Sequence, residues 1–234
     1  MTKSARALPY IFLDASRPRI VGQVGFAASD PNSGSPTFRA FSWESRQDFA
    51  ARLTVFLDEM LVATNLTFEH IERIGVGIGP GSLTGVRTAV AFLRTLSQVS
   101  GKPLSGISLF DWAIATLAAS GERGPIRISV PALRDKVFAL DIDSDLEATS
   151  HMGSSVEERL TLVARSDAGD GRPHFGIWYG DSIIRTVDPS PEALHHLMTQ
   201  HNSATAHDDF ELLLQIAPLY VIPPLAEINL VKRG

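Results

Sequence analysis

The residues best placed to do chemistry lie between positions 74 and 87. Ile74, Val76 and Ile78 alternate with Gly75, Gly77 and Gly79, and Pro80-Gly81-Ser82-Leu83-Thr84-Gly85-Val86-Arg87 follows. Glycines that turn a chain into a helix leave backbone N–H groups free, and such groups bind phosphate and other anions. No Gly-Lys-Ser/Thr is present, so this is not a nucleoside-triphosphate loop. It is not the dinucleotide fingerprint either, because Thr84 stands where the third glycine should be. Ser82 could be a nucleophile in principle. It misses the Gly-x-Ser-x-Gly pattern, since the second glycine comes one position late. Two readings of Gly79, Pro80, Gly81, Ser82, Thr84 and Gly85 stay open: a nucleotide contact, and a purely structural strand-to-helix turn.

The remaining candidates are weaker. Asp14 sits in the turn Asp14-Ala15-Ser16-Arg17-Pro18-Arg19. A carboxylate there could face a metal beside a phosphate, but Pro18 and the bulky neighbours favour an Asp that bonds its own turn. His195, His196 and His201 form no i,i+4 pair with an acid between them, so they read as solvated or capping residues and not as metal ligands. Asp141-Ile142-Asp143-Ser144-Asp145 lacks the glycine and glutamate of a calcium loop and reads as a solvated turn. Cysteine is absent, which excludes disulfides and thiolate chemistry. Arg87 lies in a first helical turn, where a cation opposes the helix dipole. It is expected to face a carboxylate, in the fold or across an interface.

The elements that must position these residues follow from periodicity. The alternation at 74–79 predicts a strand with one apolar and one bare face, and something must come close to the bare face. Ser82 is a good N-cap for a helix over 83–100, ended by Gly101 and Pro103. That helix carries two apolar rows: Val86, Ala89, Val90 and Leu93, and Gly85, Ala89, Phe92, Leu96 and Val99. The surface is wider than one core contact needs, so a second packing partner is expected. A helix over 45–64, capped by Ser45, repeats the theme with Phe49, Leu53, Phe56, Leu57, Met60 and Leu61. Upstream, 8–13 and 20–27 read as a strand hairpin and 37–43 as a third strand. Downstream, Ser108 caps a helix with Asp111 as its return partner, residues 125–130 and 136–142 read as paired strands, and 174–179 as another. Ser190-Pro191-Glu192 opens a helix and 207–217 a last one. Residues 149–170 give no clear pattern.

Composition narrows the function classes. The chain has 234 residues, 44% hydrophobic and 20% charged, a globular balance with ample core material. A net charge of −5 argues against a bulk nucleic-acid binder. No run is long enough for a signal peptide or a membrane span, so a cytoplasmic location is expected.

The run Gly79-Pro80-Gly81-Ser82-Leu83-Thr84-Gly85-Val86-Arg87 resembles the Gly-Pro-Gly-Ser-Phe-Thr-Gly-Leu/Val-Arg motif of the TsaB (YeaZ-like) family, bacterial proteins of tRNA threonylcarbamoyladenosine synthesis. Asp14-Ala15-Ser16 resembles that family's Asp-Thr-Ser, and Ser105-Gly106-Ile107-Ser108 its Gly-Val-Ser. Ala132-Leu133-Arg134 before Val137-Phe138 resembles its Asp-Ala-Arg…Val-Tyr hairpin, and Pro218-Leu219-Tyr220 its Pro-x-Tyr. The chain departs from the pattern at Trp43-Glu44-Ser45, which lacks the family's His, at Ala15 and at Ile222.

The resemblance implies an α/β fold of two actin/Hsp70-like (ASKHA), ribonuclease H-like lobes, the second smaller. From the sequence the lobes divide as 1–120 and 121–234, with the C-terminal segment free to pack back on the first. The resemblance further implies a non-catalytic scaffold without cofactor or metal. Its partners would be a TsaD-type transferase, a TsaE-type ATPase in a larger complex, and a second copy of itself when alone, with tRNA met only indirectly. The His-x-x-x-His metal motif of TsaD is absent. Phe49, Leu53, Phe56, Leu57, Met60, Val86, Arg87, Val90, Phe92, Leu93 and Leu96 would then form the partner face. The alternatives are an actin-like ATPase or sugar kinase, and a glycoprotease-like metallopeptidase.

Overall fold

The structure, a computed structural model, describes residues 9–17, 19–26, 37–44, 49–132, 136–143, 160–164, 171–181 and 183–200. The Ser45 cap, His201, the helix expected at 207–217, and Leu133-Arg134 and Pro218-Leu219-Tyr220 of the resemblance lie outside these residues.

The chain forms two units. The first runs to Ile107 and is rejoined by residues 190–200. Its sheet has the order β3-β2-β1-β4-β5, built from β1 (Tyr10–Asp14), β2 (Arg19–Gly25), β3 (Phe38–Glu44), β4 (Arg73–Gly79) and β5 (Leu104–Ser108). β1 pairs antiparallel with β2 and parallel with β4, with Ile11 opposite Ile74 and Leu13 opposite Val76. β2 pairs antiparallel with β3. Helix α1 (Phe49–Ala63) leads into β4, and α2 (Leu83–Ser100) joins β4 to β5. The core beneath them holds Ile11, Leu13, Ile74 and Val76 from the sheet, and Leu53, Phe56, Met60, Val86, Val90 and Leu93 from the helices.

Helix ends follow local chemistry. The Ser82 hydroxyl accepts the Gly85 N–H at 3.3 Å, and Gly101 takes the left-handed conformation (φ 68°) that ends α2. Ser108 and Asp111 form the expected reciprocal cap: the Asp111 N–H donates to Ser108 Oγ, whose hydroxyl donates to the Asp111 carboxylate.

The second unit runs from Ser108 through Pro189. It contains α3 (Leu109–Ala119) and a sheet of β6 (Ile126–Pro131), β7 (Lys136–Ile142), β8 (Thr161–Ala164), β9 (His174–Ile177) and β10 (Arg185–Val187), in the order β10-β9-β6-β7-β8. β6 and β7 are an antiparallel hairpin, β7 and β8 are antiparallel, and β9 lies parallel to β6 and β10. This is the strand order of the first sheet again, hairpin plus third antiparallel strand on one side and two further strands on the other. Two such sheets make the ribonuclease H-like, actin/Hsp70-like architecture. The unit begins at Ser108 and not near residue 121, because the apolar side of α3 packs on β6 and β10. Asp141 belongs to β7 and not to a solvated turn: its carboxylate takes a bidentate fork from Arg127, its partner across the strands, at 2.7 and 2.8 Å. Helix α4 (Pro191–Gln200) follows, capped by Ser190, and belongs to the first unit.

Candidate functional site

The bare face of β4 is filled by the chain itself. A Cβ on Gly75 would lie 2.6 Å from the Met198 sulfur of α4 and 2.9 Å from the Phe12 ring; one on Gly77 would strike the Asp14 carboxylate. Asp14 is fully buried. It accepts the Ser16 N–H at 3.1 Å and the Ser16 hydroxyl at 2.8 Å, so it bonds its own turn. Burial pushes its pKa above the ordinary carboxylate value, against the Ser16 hydrogen bonds and the Arg17 charge.

The turn after β4 is held by the same hairpin. The Ser82 N–H donates to the Ser16 carbonyl at 2.6 Å. A Cβ on Gly81 would meet that carbonyl, and one on Gly85 would meet the carbonyl of Ala15. Gly79 has φ +92°, a conformation that favours glycine, and its bond to Pro80 is cis. The three glycines therefore serve different ends: one sets the turn, and two admit backbone carbonyls. Those carbonyls carry partial negative charge, and the Ser82 N–H is already given to one of them. Thr84 is exposed at the helix start and its carbonyl accepts the Thr88 hydroxyl.

The two apolar rows of α2 separate cleanly. Val86, Ala89, Val90 and Leu93 are buried on the sheet, while Phe92 and Leu96 lie at the rim of the core and Val99 is 82% exposed. On α1, Leu53, Phe56, Leu57 and Met60 are likewise buried. Phe49 opens the helix, and its side chain lies outside the described residues. Of the described side chains read from the sequence as a partner face, Arg87, Phe92 and Leu96 reach the surface. Leu53, Phe56, Leu57, Met60, Val86, Val90 and Leu93 are core, because a helix of this width spends its strongest apolar row on its own sheet. Arg87 is exposed and has no ion pair among the described residues. The outer face of α2 carries Thr84, Thr88, Ala91, Thr95 and Val99, and no acid. On α1, Val55 and Val62 (79%) are exposed as well.

Sequence reasoning passed over a second cluster. In the second unit the buried Ser129 hydroxyl bonds His174 Nε2 at 2.6 Å and the Tyr179 hydroxyl. Burial and the nearby Arg127 hold His174 below the ordinary imidazole value. Among the described residues this makes no catalytic triad: His174 Nδ1 has no acid on it, and Ser129 is shut away from solvent. The signal in the sequence was slight, a serine inside an apolar strand. Among the described residues, no three His, Asp or Glu side chains come together as a metal site, and no helix is long and apolar enough to cross a membrane.

Two units with one strand order, the first carrying a glycine turn locked to its own hairpin, define a protein of the actin-like α/β class. Solved structures narrow the fold. One from Pseudomonas aeruginosa, an uncharacterized protein with similarity to peptidase YeaZ, superposes with a TM-score of 0.59 at 17% identity, over 92% of this chain and 99% of that one. YeaZ from Pseudomonas aeruginosa gives 0.54 at 18% identity, over 81% and 90%. The fold is thus YeaZ-like. The family profile of the tRNA N6-adenosine threonylcarbamoyltransferase, TsaD, matches residues 44–169. The chain belongs to that tRNA-modification family.

Proposed function

We propose that this chain is a non-catalytic, TsaB-type scaffold that binds and activates a TsaD-type threonylcarbamoyltransferase during N6-threonylcarbamoyladenosine modification of tRNA. The observation that carries the reading is the outer face of α2. Small, uncharged residues (Thr84, Thr88, Ala91, Thr95) let another helix approach closely, Phe92, Leu96 and Val99 supply apolar area, and the exposed Arg87 offers a charge to a carboxylate of the partner. Val55 and Val62 on α1 extend the apolar area. Catalysis by this chain itself finds no support in Asp14, whose oxygens are spent on Ser16. A net charge of −5 suits a protein that meets tRNA through its partner. In isolation the same face would pair two copies, and a TsaE-type ATPase would join the larger complex.

The test is reconstitution. A TsaD-type protein is assayed for threonylcarbamoyl transfer to tRNA with and without this chain, and with the variant Ala91→Arg, which places a long cation in the middle of the proposed contact. Activation by the wild type, lost in a folded Ala91→Arg protein, supports the reading. Full activation by that variant, or none by the wild type, overturns it.

A further inference from the structure

Helix α4 is seated on the first sheet by one imidazole whose proton is assigned by its neighbours. The Gln23 amide nitrogen donates to the Pro191 carbonyl at 3.0 Å and to the Tyr10 hydroxyl at 2.8 Å. Pro191 offers only an acceptor there, so the amide orientation is settled. Having accepted from Gln23, Tyr10 gives its own hydrogen to His195 Nδ1, 3.0 Å away. The tautomer in which the Tyr10 hydrogen is also used carries the His195 hydrogen on Nε2, facing Thr37 Oγ1 at 2.9 Å. The ring also lies against Tyr10 and Phe38, with centroids 5.7 and 5.2 Å away. Four segments, β1, β2, the start of β3 and α4, thus share one network that needs a neutral histidine.

We propose that His195 is a proton-sensitive latch: α4 stays seated on the first sheet while the imidazole is neutral and loosens when it takes up a proton. A second hydrogen on Nδ1 would point at the hydrogen of Tyr10, and Tyr10 could bond it only by turning its own hydrogen away. The titratable groups around the ring are Tyr10 from β1 and His196 beside it on α4; β2 and the start of β3 offer the neutral Gln23, Thr37 and Phe38. Burial, with His196 adding to it, holds His195 below the ordinary imidazole value. The folded state therefore favours the unprotonated ring. Its contribution is complete above the ordinary pKa of about 6.5 and weakens below it, by up to about tenfold in the seating equilibrium per pH unit, until the lower folded pKa is passed. The other anchors of α4 do not titrate in this range. They are Met198 beneath Gly75 and the Arg73 guanidinium on the Met198 carbonyl at 2.8 Å.

Hydrogen–deuterium exchange on the full chain between pH 7.5 and 5.0, corrected for intrinsic rates, tests this. Peptides covering residues 191–200 should lose protection relative to β4 as pH falls below about 6.5, by up to about tenfold per pH unit, and His195→Gln should remove that pH dependence. Unchanged protection of α4 in the wild type, or the same pH dependence in His195→Gln, overturns the proposal. Should the variant not fold, nitrogen NMR of the wild-type ring decides. An Nε2–H tautomer titrating below free imidazole supports the latch, and an Nδ1–H tautomer or an ordinary midpoint overturns it.

Discussion

Replacing Gly85 with alanine sets two effects of opposite sign against each other. Gly85 sits in the first turns of α2, where alanine is the better helix former by about 1 kcal/mol. Helix propensity therefore predicts a more stable protein. The structure predicts the reverse. The new Cβ would meet the Ala15 carbonyl, a backbone atom held in the β1–β2 hairpin, and not the flexible end of a side chain. Forcing extra volume into a packed site costs roughly 1–3 kcal/mol, and more where hydrogen bonds shift with it. The hairpin cannot retreat freely, because the next carbonyl, Ser16, accepts the Ser82 N–H at 2.6 Å and Asp14 holds Ser16 from inside. The propensity gain offsets about 1 kcal/mol of this, but the clash also disturbs the Ser82–Ser16 hydrogen bond, worth roughly 1 kcal/mol itself, so a net loss of about 1–2 kcal/mol is expected. For a chain of this size that lowers Tm by roughly 2–8 °C. Thr95→Ala, exposed on the same helix, is the control. It gains propensity without a clash and should leave Tm level or raise it slightly. Scanning calorimetry at one pH measures all three proteins. A Gly85→Ala protein that melts at or above the wild type would refute the idea that hairpin carbonyls fill this turn.

Four further outcomes are expected. Ser82→Ala removes the cap of α2 and should cost about 1 kcal/mol in urea unfolding, with any nucleotide effect read separately by calorimetric titration. Asp14→Asn keeps an acceptor for Ser16 but no titrating group; because the folded carboxyl is raised, wild-type stability relative to this variant should fall as pH climbs above about 4, and parallel denaturant curves at pH 4.5 and 7 give the comparison. Val90→Asp should unfold the chain at a cost of roughly 3 kcal/mol or more, whereas Val99→Glu should leave circular dichroism and Tm unchanged while weakening assembly in size-exclusion with the partner. If Val99→Glu melts early instead, α2 is more buried than its outer face indicates.

The elements around the glycine turn were legible because each carries its own punctuation. Ser82, Gly101, Ser108 with Asp111, and Ser190 with Pro191 mark helix ends by chemistry that acts within a few residues. β4 declared itself by strict alternation, even to the need for something against its bare face. What escaped was whatever depends on distant partners. β8 and β10 have four and three residues, too few for a period to register. The orientation of α2 was undecidable from its two apolar rows until the sheet beneath it was known. His195 lay on a helix with a second histidine beside it, which suggested solvent; its hydrogen bonds go to residues 185 and 158 positions away. The boundary between units is hard to read from sequence for a similar reason. Glycines near 121 suggest a break, but the packing of α3 on β6 and β10 is a long-range fact.

The slot under Gly75 also bears on how the protein is made. Its filler, Met198, leaves the ribosome only after all five strands of the second sheet have been synthesised. Until then the nascent first sheet carries an open groove along its central strand, and the ring of Tyr10 waits for its histidine. Contacts this far apart in the chain are slow to close. The sheet of the second unit, β6 to β10, lies wholly within Ser108–Pro189 and should therefore form during translation before the groove of the first sheet is filled, although the first sheet begins earlier.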